Sequence, residues 1–182
     1  MFQQNNIYYM ENELIKAVVL PYRGDDVSMI IILPKKIDGV KEVERSLSAE
    51  TFRSWLPLFH TADVMVHLPK FKVTYESHMS KTLISMGMTK AFDRSADFTG
   101  MDGTKNLFLS DVIHKAFVDV NEEGTEAAAA TAVKGKMKSE MMPQKERPKE
   151  FRADHPFLFL IQEQHTGSML FMGRVNNPQQ LK

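Results

Sequence analysis

The 182-residue chain contains no cysteine. That excludes disulfides and zinc sites built on thiolates. No apolar run approaches the length of a membrane span. Neither sign of charge is in excess, with 23 Lys plus Arg against 23 Asp plus Glu. A general attraction to nucleic acid or to an anionic membrane is thus not expected, and no block of like charge forms a tail. There is no internal repeat and no Asn-x-Ser/Thr acceptor. The opening residues Met1 to Asn6 are polar and lack the basic start and apolar core of a signal peptide. His60, His67, His78, His155 and His165 are scattered without metal-ligand spacing, so neither a metal nor a cofactor is expected. Ser110 and Ser139 lack the strand–turn–helix context of a catalytic nucleophile, and no enzyme activity is expected.

What the chain does have is a globular apolar content of 43% and thirteen methionines. Most of these sit in apolar runs as adaptable filler. Ile7 to Met10, Leu14 to Leu20 and Val27 to Leu33 read as strands, the last two joined by the turn Pro21 to Asp26. Met29 to Leu33 is apolar without alternation, which predicts burial on both faces. Val40, Val43 and Leu47 share one face of a short helix. Ser48 opens another that carries Phe52, Trp55, Leu56 and Phe59. Val64, Val66 and Leu68 alternate as a strand, as do Phe71, Val73 and Tyr75 after Pro69. A helix with Met79, Leu83 and Met86 ends at Gly87. Ile113 to Val120 is a strand, and Phe157 to Ile161 and Met169 to Val175 form a hairpin around Gln164 to Gly167.

Between these last elements lies the least ordinary stretch: Glu122, Glu123, Gly124, Thr125, Glu126, Ala127, Ala128, Ala129, Ala130 and Thr131. From Gly124 to Ala130 every side chain but Glu126 is small. By residue type alone, three readings stand. Alanine favours helix, with Thr125 as cap. The lack of an apolar stripe leaves such a helix undocked and marginal in water, which allows a solvated linker instead. The third reading is a backbone able to slide between two strands, where bulk would clash. Downstream, Lys145, Arg147, Lys149 and Arg152 interleave with Glu146 and Glu150 and read as a solvated flank, with polyanion or exosite contact less favoured.

The order of segments resembles the serpin family. The residues that carry the likeness are Leu20 to Gly24 with Val27 to Met29 and Leu33-Pro34, His67 to Phe71, Ile84 to Met88 with Ala91-Phe92, and Ala96 to Met101. Leu109 to Ala116, the Gly124 to Ala130 stretch, Pro156 to Ile161 and Phe171 to Val175 complete it. The resemblance runs from about Ile7 to Pro178 and implies an α+β serpin fold: mostly antiparallel and mixed sheets, a few short helices and an exposed reactive-centre loop at about 122–152. Residues 1–182 would be the C-terminal half of one serpin domain, the N-terminal half missing. Such a fragment is expected to be inactive alone.

The same resemblance implies suicide-substrate inhibition of a serine protease through a covalent complex, with loop insertion as the trap and loop–sheet polymers as a side reaction. It makes residues 122–131 the hinge. Counting the family's interval from Gly124 places the bait bond at Lys138-Ser139, which implies a trypsin-like target. Lys134 and Lys136 are rivals, and Met137, Met141 or Met142 would suit a chymotrypsin- or elastase-like enzyme. His114 matches the family's shutter histidine, and Lys70 with Glu122 matches a pair in the breach region. A secreted parent is expected, although the lack of a signal peptide leaves an intracellular one open. A non-inhibitory carrier, storage or chaperone-like serpin is the alternative class, and a generic interaction module a third. The small hinge residues favour inhibition.

Overall fold

A computed structural model describes residues 2–121 and 147–178. Two compact units result, one formed by residues 1–71 and 120–182 and the other by residues 72–119. In the first, a long strand β1 (Phe2–Glu11) pairs antiparallel with β2 (Ile15–Pro21), which pairs with β3 (Val27–Pro34). β4 (His60–His67) lies on the other side of β1. A short strand β7 (Lys149–Arg152) runs parallel to β4 at the edge. β8 (Phe157–Glu163) pairs with β3, and β9 (Met169–Val175) closes the opposite edge. The order is β7-β4-β1-β2-β3-β8-β9. This is the α+β class expected, and the hairpin of β8 and β9 forms around the expected turn.

The centre of the sheet follows from composition. Met29 to Leu33 and Phe157 to Ile161 are all buried, as an apolar run without alternation requires. On one face, Met10, Ile15, Ala17, Ile30, Ile32, Leu158 and Leu160 pack beneath two helices. α1 (Val40–Ser46) contributes Val40 and Val43, and α2 (Ala49–Trp55) contributes Phe52 and Trp55. Ser48 caps α2 by accepting a hydrogen bond from the Thr51 amide at 3.0 Å, which satisfies one of the free N–H groups of the first turn. The helical spacing of Leu56 and Phe59 does not extend α2: the chain tightens into a 3-10 turn over Leu56–Leu58, with Pro57 inside it. Phe59 still packs on the core, while Leu56 is exposed.

The other face holds an aromatic stack. The Phe71 ring meets Phe157 edge-on at 5.7 Å between centroids and lies tilted on Phe159 at 5.3 Å. Phe159 in turn lies across Gly173, its partner residue on β9. A β-carbon built on Gly173 would stand 2.4 Å from Cζ of Phe159. Gly173 is therefore there for space, so that a ring can lie flat against backbone.

One expectation is corrected. Residues 149–152, read as part of a solvated loop flank, form β7, with Phe151 fully buried. The charges on Lys149, Glu150 and Arg152 conceal a strand that only pairing with β4 reveals. β9 is the last strand of the sheet and is mostly exposed.

The turn between β8 and β9 is held by Glu163. Its carboxylate accepts from the Thr166 hydroxyl, from the Thr166 amide at 2.7 Å and from the His165 amide at 2.8 Å. These bonds, the hydroxyl first, pull its pKa down to about 2. Gly167 takes the left-handed conformation that closes the turn.

Replacing Gly173 with alanine is expected to displace the Phe159 ring and lower stability by about 1–3 kcal/mol. Urea unfolding followed by the fluorescence of Trp55 measures this. An unchanged midpoint would mean that the stack has room to give.

Candidate functional site

The second unit carries the strand that leads toward residues 122–131, the expected hinge. β5 (Phe71–His78) and β6 (Ile113–Val120) form a two-stranded sheet. Two ion pairs fix their sense: Lys72 Nζ lies 2.8 Å from Asp119 Oδ2, and Lys115 Nζ lies 3.3 Å from Glu76 Oε2. As one strand is read forward the other is read backward, so the strands are antiparallel. Exposed pairs of this kind contribute little stability, about 0.2–1 kcal/mol each, but they oppose slippage of register. Alternation places Ile113, Lys115, Phe117 and Asp119 on one face of β6. His114, Ala116, Val118 and Val120 lie on the other. Among the described residues, β6 has a ladder partner on one side only. Val120 is buried and ends the strand.

The start of β6 is clasped to the end of β5. After β5 the chain enters α3 (Ser80–Ser85), which ends as expected with Gly87 at positive φ. The Met79 amide donates to the Val112 carbonyl at 2.7 Å. Asp111 is the hub. Its Oδ1 accepts from the Ser80 hydroxyl at 2.5 Å and from the Val112 amide at 2.8 Å, and His78 Nδ1 lies 2.5 Å from Oδ2. The Ser80 hydrogen bond, and after it His78, hold the Asp111 carboxyl below its ordinary range. Serine, histidine and aspartate meet here without the geometry of a catalytic relay. Ser80 and His78 both turn to the carboxylate, so no base stands ready to take the serine proton.

His114 is exposed on β6, and its ring has no hydrogen-bond partner among the described residues. Lys70 is exposed, one residue before buried Phe71. Its expected partner Glu122 lies outside the described residues. So do the rest of the hinge from Glu123 to Thr131, the bait pair Lys138 and Ser139, and the rival positions Lys134, Lys136, Met137, Met141 and Met142. The structure places both flanks of this segment: β6 before it and β7 after it. Sequence reading missed the Asp111 clasp. Its members come from two segments thirty residues apart, and only the Ser-Asp preceding a strand could have hinted at a cap. It also missed Gly173 as the seat of an aromatic ring, although a glycine inside an apolar strand is the signal for close approach.

A family model described as serpin (serine protease inhibitor) matches residues 1–178. The chain belongs to the serpin family. Human Serpin B3 is 44% identical over 98% of this chain and 46% of its own length. The leukocyte elastase inhibitor of Xenopus laevis is 45% identical over 98% of this chain and 48% of its own length. Among solved structures, uncleaved ovalbumin superposes with a TM-score of 0.76 at 28% identity, over 96% of this chain and 43% of that one. The chain thus spans less than half the length of these relatives. The names of these relatives state no compartment, so the expectation of secretion gains no support from them. Among the described residues, no helix is long and apolar enough to cross a membrane, and no cluster of metal-ligating side chains occurs.

The clasp has a pH dependence with a defined sign. The folded-state pKa of Asp111 lies below its unfolded value. Its contribution is therefore present above about pH 4 and is lost as pH falls through the lowered value. In Asp111→Asn, exchange of the Val112 and Met79 amides is expected to accelerate at pH 6, and the gap from wild type is expected to close under more acid conditions. An equal gap at all pH values would show that the carboxylate charge is not what closes the clasp.

Proposed function

We propose that a polypeptide of the length of these relatives, carrying this chain's residues, is a suicide-substrate inhibitor of serine proteases whose reactive-centre loop lies between β6 and β7. The observation that carries this reading is the run of small side chains from Gly124 to Ala130, Glu126 excepted, which begins shortly after β6, a strand with a ladder partner on one side only among the described residues. An open ladder edge offers unpaired N–H and C=O groups to an added strand. The added strand must pack its alternate residues into space already shaped by neighbours. Thr125, Ala127, Ala129, Thr131 and Val133 would point to the buried side and Glu126 and Ala128 to the open one. Small side chains keep that entry quick. Speed decides the outcome, because the acyl bond to the protease has to be carried off before water reaches it. The driving force is strain held kinetically in the native fold.

We assign the bait bond to Lys138-Ser139, with a trypsin-like target whose specificity pocket carries a carboxylate. β7 begins at Lys149, so residues 140–148 lie between Ser139 and that strand. Cleavage after Met142 or Arg147 is disfavoured by Pro143 and Pro148, which follow them. A second reading has its own support. A relative 45% identical is named leukocyte elastase inhibitor, and Met137 or Met141 would offer an apolar side chain to such an enzyme. Lys70 and Glu122 would pair near the opening edge and His114 would serve the shutter, neither of them in catalysis.

The test uses these residues within a polypeptide of the relatives' full length. Trypsin is expected to form an adduct that survives denaturant, with a new N-terminus at Ser139. Lys138→Ala is expected to slow that reaction about a hundredfold or more. A new N-terminus at Lys138 or Met142, formed with elastase and not with trypsin, would transfer the assignment to Met137 or Met141. Absence of any adduct with trypsin-, chymotrypsin- and elastase-like enzymes would refute inhibition. Thr125→Arg is expected to leave cleavage intact while raising the number of inhibitor molecules consumed per protease trapped. An unchanged stoichiometry would rule out the alternation assigned to the loop. The 182-residue chain alone is expected to be cut without trapping the enzyme.

A further inference from the structure

Four residues, Ala153 to Pro156, carry the chain from β7 to β8. Four strands, β4, β1, β2 and β3, lie between those two in the sheet order. In a flat sheet the five steps would span about 24 Å, whereas the five links from Arg152 to Phe157 reach at most about 19 Å. The sheet is therefore bent, and Lys16 of β2 reaches the Glu150 carbonyl of β7 at 3.3 Å. So short a connection holds its place only if both of its ends are held.

The first end is tied by backbone. The Ala153 amide donates to the His67 carbonyl at 2.9 Å and prolongs the pairing of β7 with β4. The second end lacks a backbone donor. Ile32 pairs with Leu158, and the same register carried two residues further sets Pro34 opposite Pro156. Neither proline has an N–H. The Lys35 amide turns to β2 and donates to the Leu14 carbonyl at 2.8 Å. One residue earlier, the Pro34 carbonyl therefore turns toward β8. Pro34 is fully buried, and a buried carbonyl left without a partner is costly. His155 supplies what the prolines withhold: its Nε2 lies 2.7 Å from the Pro34 carbonyl oxygen. A carbonyl can only accept, so that nitrogen carries the proton. Asp154 Oδ1, 2.8 Å from Nδ1, orients the ring. The His155 side chain is 14% exposed, so water competes little for the bond.

We infer that His155 is a positioning residue. Its ring stands in for a ladder amide, pins the crossing from β7 to β8 onto the end of β3, and so keeps β7 on β4. β7 needs this help, because it has four residues, of which Phe151 alone is buried. In the inhibitor proposed above, on which this second step rests, a segment fixed at both ends cannot enter the open ladder of β6. Cutting the bait bond frees one end. β7 has to hold until that cut is made, and His155 lets a four-residue edge strand do so.

Amide exchange in the 182-residue chain tests the peg. His155→Leu keeps bulk and loses the donor. Exchange of the Phe151 and Ala153 amides in this variant is expected to accelerate about tenfold or more relative to that of Ile30 and Ile31 in β3. His155→Gln, whose side-chain amide can donate to the same carbonyl, is expected to restore most of the difference. Equal acceleration in β3 and β7 would reduce His155 to general stability and overturn the proposal. So would a glutamine variant no better than leucine. Should His155→Leu not fold, as circular dichroism would reveal, the wild-type chain still decides. The Nε2 proton of His155 is expected as a slowly exchanging NMR signal, and exchange at the rate of a solvent-exposed ring overturns the peg. In a polypeptide of the relatives' full length, kept uncut before trypsin is added, His155→Leu is expected to lose adduct-forming capacity at least about fivefold faster than wild type. His155→Gln is expected to recover it. An unchanged lifetime beside a loosened β7 would overturn the second step. Absence of adduct from the wild type as well would refute the inhibitor reading, while amide exchange would still decide on the peg.

Discussion

The ladder between β3 and β8 is the contact on which the rest of the first unit depends. Ile30 pairs with Leu160 and Ile31 with Phe159, residues separated by most of the chain. Closing so long a loop costs conformational entropy, although that cost grows only slowly with length. It is offset by burial of two strands on both faces, at about 25 cal/mol for each Å² of apolar surface. Once β8 is beside β3, several things follow. Phe157 and Phe159 are positioned for Phe71, and β9 is delivered to the edge by a tight turn. The chain after residue 146 is held at the opposite edge of the same sheet, where β7 pairs with β4 and buries Phe151.

The described residues contrast closed and open ladders. β1, β2, β3 and β8 have partners on both sides, and their apolar residues are largely buried. β6 and β9 have a partner on one side and expose Ile113 and Phe117, and Leu170 and Met172, respectively. Unpaired backbone beside exposed apolar side chains is a state a protein ordinarily avoids. The two edges differ in their surroundings along the chain. β6 runs toward the stretch of Gly124 to Ala130, small throughout except for Glu126. β9 follows a hairpin turn held by Glu163 and exposes Leu170 and Met172.

Much of this was legible in the residues. Uninterrupted apolar runs foretold the buried central strands, alternation foretold β4 and the start of β5, and Ser48 marked the start of α2. The order of short motifs pointed to the family. What escaped had physical reasons. β7 has one apolar residue among charges, too short a pattern to signal a strand, and exists because β4 offers it an edge. The Asp111 clasp joins residues that become neighbours only after β5 and β6 pair. The exposure of β9 could not be read from its composition, because hydrophobic strands at the centre and at the edge of a sheet look alike in sequence.

The sequence by itself determined periodicity, turn chemistry, the absence of metal-ligand spacing, and the small-residue stretch with the serpin likeness around it. Each of these is local or depends on order along the chain, which is why residues alone carry them. Tertiary structure decided which strands are central and which are edges, which charges lie on a strand and which on a loop, and which glycine must remain a glycine. Those properties depend on what lies across a ladder or beneath a ring, and a neighbour brought in from a distant part of the chain leaves no local mark.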